Sequence, residues 1–229
     1  MRLVRVLATA LAALGVAGAG SVSAQVQTKE CNGIRACISV PGPWVVVPAR
    51  AEVTYLLECP RRRGIVGGLD ALASSRDVRV SFAANLGAPV SPGTTTTRYA
   101  VFRAVTATGR RGAFKPVIGC IPVDSGGRST TAVRLTTPGA PLEYAQTTFP
   151  LRPGIKRTTT IGCAGRQRLV GTWHAVAFRT AAVPRLPLAD AVRVQRTRKG
   201  SNVAVTISAS EALPQGAKAE VQVGVVCAA

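Results

Sequence analysis

The chain has 229 residues, with 29 Lys and Arg against 10 Asp and Glu, six Cys and one His, a formal charge of +19 at pH 7. Such basicity would suit a disordered tail, but 47% apolar and 17% charged residues exclude one, because a chain of that kind can bury a core. Val (30) and Thr (22) abound while aromatic residues make up 4%, so pleated sheet is favoured and rings that stack on bases are scarce.

Arg2 and Arg5 precede an apolar run from Val6 to Ala17, and small residues lead on to Val22-Ser23-Ala24. A charged start, an apolar stretch and small residues read as a signal peptide over 1–24, cleaved after Ala24. No Cys stands near that point to carry a lipid anchor, and no later apolar run is long enough to span a bilayer. The expectation is a secreted protein, extracellular or held in the cell envelope. Its mature part keeps 27 basic and 10 acidic side chains.

An N-terminal arm, 25–35, leads into a first module, 36–123, a linker, 124–130, and a second module, 131–229. In the first, extended segments are expected near 36–40, 44–47, 52–58, 64–73, 77–83, 97–106 and 115–121. In the second they fall near 131–137, 142–148, 156–162, 168–178, 190–196, 202–209 and 218–227. Val203, Val205 and Ile207 alternate with Ala204, Thr206 and Ser208, so one face is buried and the other wet. No helical stripe stands out, and about seven short strands per module suit two tandem, all-β, immunoglobulin-like sandwiches.

The division rests on a repeat. Setting Cys59 on Cys163 without a gap brings Ile65-Val66-Gly67 onto Leu169-Val170-Gly171 and Asp70 onto His174. Val78-Arg79-Val80 then answers Val192-Arg193-Val194, Pro41-Gly42-Pro43 answers Pro138-Gly139-Ala140, and each copy ends on a Cys, Cys120 or Cys227. Six Cys allow 15 pairings, but the repeat favours Cys59–Cys120 and Cys163–Cys227, one per module, which leaves Cys31 with Cys37.

Catalytic patterns are faint. Asp124-Ser125-Gly126-Gly127 looks like the nucleophile segment of chymotrypsin-like proteases, but Val123 and Arg128 replace that family's flanking Gly and Pro. The sole His, His174, lies downstream, where no base is expected. A turn in the linker is the simpler reading, and the slot shared by Asp70 and His174 reads as an exposed position beside a turn. No metal-ligand cluster, cofactor motif or closely spaced carboxylate pair is visible. The expectation is a protein without a catalytic site and without a cofactor.

Basic clusters stand out more. Arg61, Arg62 and Arg63 follow the first Cys of module one, and Arg166 and Arg168 occupy the matching loop of module two. A second set, Arg110 and Arg111 with Arg196, Arg198 and Lys199, precedes the last strands. Together they suggest a site for an anionic polymer such as teichoic acid, lipopolysaccharide or extracellular DNA, because Arg makes bidentate phosphate contacts. Solvated loops on a Val-rich sheet are the bland alternative. A secreted module that binds an extracellular protein, as an inhibitor or adhesin, is the second functional expectation, and a hydrolase using Ser125 and His174 the third.

The run from Cys59-Pro60 to Val66-Gly67-Gly68, echoed from Cys163 to Val170-Gly171, resembles the C-P-x-G-x-x-V-x-G-G repeats of uncharacterised secreted proteins from GC-rich bacteria. Arg62 stands where that pattern has its first Gly, and the second copy lacks both the Pro and the final Gly. The resemblance implies an exported, repeated, disulfide-stapled β module and carries no activity.

Overall fold

A computed structural model describes residues 37–60, 64–84, 98–121 and 142–228. They form β1 (Ile38–Pro41), β2 (Trp44–Val47), β3 (Val53–Glu58), β4 (Ile65–Ala73), β5 (Val78–Ala83), β6 (Tyr99–Thr106) and β7 (Gly112–Ile121). After these come β8 (Glu143–Pro150), β9 (Lys156–Gly162), β10 (Arg168–Phe178), β11 (Val192–Lys199), β12 (Asn202–Ala209) and β13 (Ala219–Ala228). One short 3-10 helix, Leu186–Ala191, precedes β11. The all-β expectation holds, and β9, β10 and β12 begin and end where the alternation places them.

Cys59 is bonded to Cys120 and Cys163 to Cys227, with Cα atoms 5.8 and 5.6 Å apart. Each bond joins the end of one sheet's edge strand, β3 or β9, to β7 or β13 in the facing sheet. Closing loops of 61 and 64 residues contributes about 4 kcal/mol each on the chain-entropy model. Cys37 is also disulfide-bonded. Cys31, and with it the expected Cys31–Cys37 ring, lies outside the described residues, as do the linker 124–130 and the segment 131–137.

All ladders are antiparallel. One seven-stranded sheet runs β4, β7, β1 with β2, β10, β13, β8, where β1 and β2 lie end to end along one side of β7. Between them Pro41-Gly42-Pro43 interrupts the ladder, and the Gly42 N–H bonds the Pro116 carbonyl at 2.8 Å. A Cβ at Gly42 would press into the Pro116 ring at 2.8 Å, so glycine suits that close approach. Two three-stranded sheets complete the fold, β3-β6-β5 and β11-β12-β9.

The halves therefore share a sheet rather than sitting as separate beads. Strand β2 pairs with β10 through Val45 opposite Ala177 and Trp44 opposite Phe178. Side chains alternate across a strand, so each of the two feeds two cores. Val45, Val47, Ala175 and Ala177 pack with Tyr55, Phe102 and Phe114 in the first core. Val46 and Phe178 join Val205, Ile207, Val221 and Val223 in the second. The second sheet of each half covers an opposite face of the shared one.

Two expected correspondences are corrected by register. Val66 pairs with Cys120 and Leu169 with Cys227, each just before a bulge, so Val66 answers Leu169 rather than Val170. The loop after Cys59 is one residue longer, and the repeat needs a one-residue gap there. Downstream, Asp70 answers Trp173, and His174 answers Ala71. Pro41, three positions before Cys120 in the ladder, answers Gln146, inside continuous β8, so Pro138-Gly139-Ala140 is not the counterpart of the first Pro-Gly turn. The match of Val78-Arg79-Val80 with Val192-Arg193-Val194 stands in both ladders.

Candidate functional site

The expected Arg sites divide into groups with different surroundings. Arg166 lies exposed in the β9–β10 turn, Arg168 opens β10 and Lys199 closes β11, both exposed. Beside them Arg198 donates through Nη2 to the Leu169 carbonyl at 2.9 Å and through Nε to the Gly200 carbonyl at 3.3 Å. One step along the same strand face, Arg196 Nη1 donates to the Thr172 carbonyl at 2.8 Å and its Oγ1 at 2.9 Å. These two guanidinium groups tie β11 to β10 across the flank where the two sheets of the second half meet. Arg198 therefore fastens the sheets, while Arg166, Arg168 and Lys199 beside it make no hydrogen bond or ion pair among the described residues.

Arg110 and Arg111 are elsewhere. They sit between β6 and β7, whereas Arg198 and Lys199 end β11 ahead of β12, so the two pairs are not counterparts. Arg111 forms a two-pronged pair with Asp190, Nη2 to Oδ1 at 2.6 Å and Nη1 to Oδ2 at 2.7 Å. That hydrogen bonding holds the Asp190 carboxyl below its ordinary range. The pair joins the first half to the start of β11, and Arg198 sits towards the other end of this strand, roughly 20 Å from Val192 at 3.3 Å per residue. Arg61, Arg62 and Arg63 lie outside the described residues.

His174 is not at an exposed turn. It sits within β10 beside Trp173, its Nδ1 is buried without a hydrogen-bond partner, and Arg196 is close by. Burial first, and the Arg196 charge second, lower its pKa to about 4, so the ring is neutral at pH 7. Ser125 lies outside the described residues. Among the described residues no group of three or more His, Cys, Asp or Glu could hold a metal ion. No helix there is long and apolar enough to cross a membrane.

The junction of the halves holds a buried polar constellation. The Tyr55 hydroxyl donates to Glu220 Oε1 at 3.0 Å, and Arg179 donates through Nε to Glu220 Oε2 at 2.7 Å. Burial, reinforced by the Glu220 charge, pushes the Tyr55 hydroxyl well above the ordinary phenol range. Gln222 bonds the backbone of Leu56 as a strand would, Oε1 accepting from its N–H at 2.7 Å and Nε2 donating to its carbonyl at 2.9 Å. Leu56 and Val101 pack with Trp173, against which Tyr99, Tyr144 and Val226 are partly buried. Trp44 reaches the Ala181 carbonyl at 3.5 Å. Every Trp and Tyr of the chain is thereby placed at the junction, and this network holds the halves together.

Sequence reasoning missed Arg179 and Gln222, and it counted Arg196 among the basic residues ahead of the last strands rather than as a tie between two sheets. A signal existed for Arg196: the alternation through Val192, Val194, Arg196 and Arg198 puts those guanidinium groups on the face that turns inward. Glu220 and Gln222 occupy the alternate positions of an otherwise apolar strand, and only a partner surface makes their burial sensible. No protein-family model, no curated protein and no solved structure matches the chain.

Proposed function

We propose that this is a secreted, non-catalytic β protein that binds an anionic polymer outside the cell or in its envelope. The rim formed by Arg166, Arg168 and Lys199 would make the phosphate contacts. The observation that carries the reading is the convergence of these unpaired cations with Arg198 at one end of the second half, while Arg111 and Arg179 are each engaged by an acid. Guanidinium groups left unpaired beside one another are suited to bidentate phosphate contact. Disulfides accord with an oxidising compartment.

Chromatography of the mature chain on phosphocellulose tests it. Arg166→Gln with Arg168→Gln is expected to lower the eluting salt concentration more than removal of two exposed charges elsewhere. Equal shifts would leave only net charge. Arg61, Arg62 and Arg63, in the matching loop of the first half, form a second triple for the same test. Retention of a culture protein through high salt would instead favour the inhibitor or adhesin reading, because screening weakens polymer binding far more.

A further inference from the structure

The sheet β11-β12-β9 has an outward face that no other element covers among the described residues. Val203, Val205 and Ile207 point into the second core, so their alternate neighbours point out. Thr158 lies opposite Thr206 with Oγ1 atoms 3.2 Å apart, and Thr160 and Thr197 flank Ala204 in the next row. Lys156 and Arg193 stand at one end of this face and Lys199 at the other. Lys156, Arg193 and Lys199 are the cations of this face, while Arg157, Arg196 and Arg198 turn to the other side, and the three strands carry not one Asp, Glu or aromatic residue. Surface sheets ordinarily mix both signs of charge, so an acid-free face of hydroxyls bounded by cations is complementary to an anion.

We propose that this face binds a single extended chain of polyol phosphate, lying along the strands from Lys156 and Arg193 to Lys199 and on to the Arg166 and Arg168 rim. The inference rests on the polyanion reading above and specifies its ligand. From Arg193 to Lys199 is about 20 Å at 3.3 Å per residue, so one phosphate group cannot engage both ends and a chain of several units is required. Threonine hydroxyls at successive outward positions, about 7 Å apart, can hydrogen-bond the hydroxyl and ester oxygens of such a chain between its charges. The absence of aromatic rings removes the platforms on which the bases of single-stranded nucleic acid would stack, and so favours an acyclic backbone.

The test is fluorescence anisotropy of the mature chain with a labelled poly(glycerol phosphate) oligomer, free glycerol phosphate as competitor, and an oligothymidylate of equal charge. The expected result is preference for the polyol phosphate oligomer, with the monomer ineffective at equal phosphate. Thr158→Asp with Thr206→Asp should weaken binding at least tenfold, Thr158→Ser with Thr206→Ser should retain it, and Lys156→Gln with Arg193→Gln should weaken it about fivefold without adding an acid. Melting temperatures confirm that each variant is folded. Wild-type affinity in both the Asp and the Gln variants, with binding lost on Arg166→Gln and Arg168→Gln, would overturn the face and leave the polyanion reading standing. Equal affinity for the oligothymidylate would overturn the choice of ligand. No binding to either polymer would remove the polyanion reading itself.

Discussion

The two three-stranded sheets, β3-β6-β5 and β11-β12-β9, occupy matching places in the repeat and have met opposite fates. The outward face of the first presents Leu56 and Val101, and these are buried against Trp173 of the second half. The outward face of the second presents Thr158, Thr160 and Thr206 among cations and covers no other element among the described residues. Its partners changed in step: Trp173 and Gln222, which receive the first half, are answered by Asp70 and Lys115 in the other copy. One copy spends its surface on holding the protein together. The other leaves its surface exposed among the described residues.

That contrast can be broken most forcefully at Trp173. Trp173→Ala should cost about 4 kcal/mol, because the ring fills the junction, whereas Asp70→Ala at the matching site should cost under about 1 kcal/mol; chemical denaturation measures both. Gly224 lies beneath the same ring, and a Cβ there would fall inside it. Gln222→Ala comes next, at about 2 kcal/mol, since the N–H and carbonyl of Leu56 lose their partners, while Lys115→Ala should stay within about 0.5 kcal/mol.

His174 sharpens the contrast through pH. Its folded pKa, about 4, lies below the unfolded 6.5, so the unfolded chain binds the extra proton and stability falls as pH drops from 6.5 towards 4. Denaturant titrations across that window should show a loss of at most about 3 kcal/mol from this group, and a smaller loss in His174→Asn. The smallest effect belongs to Asp190→Asn. Its pair with Arg111 is exposed on both sides, and the melting temperature should not move.

Much of the fold was legible because alternation is strict where one face is wet. β12 reads directly from Val203, Val205 and Ile207, and the two disulfides followed from the repeat. The shared sheet was harder. Its signal is the uninterrupted Trp44-Val45-Val46-Val47, four residues all buried, which marks a strand covered on both faces but does not name the second cover. The bulge after Val66 and Leu169 hid the one-residue gap, because Val66 and Val170 match in sequence while differing in register. That slip placed His174 at a turn. Among the cations, Arg166 and Arg168 were legible as neighbours along the chain, but Arg198 was grouped with Arg110 by position in the sequence, and only the ladders separate them.

The most direct test of the account sets two charge-matched variants side by side, Arg166→Gln with Arg168→Gln in the second half and Arg76→Gln with Arg79→Gln in the first, all four exposed in the parent. Affinity for poly(glycerol phosphate) is measured against salt concentration. The account predicts that the second-half variant loses affinity and that its salt dependence falls by about one to two released counterions, while the first-half variant keeps the parent slope. Equal losses from both would contradict it, because the polymer would then be reading the net charge of the chain and no particular surface.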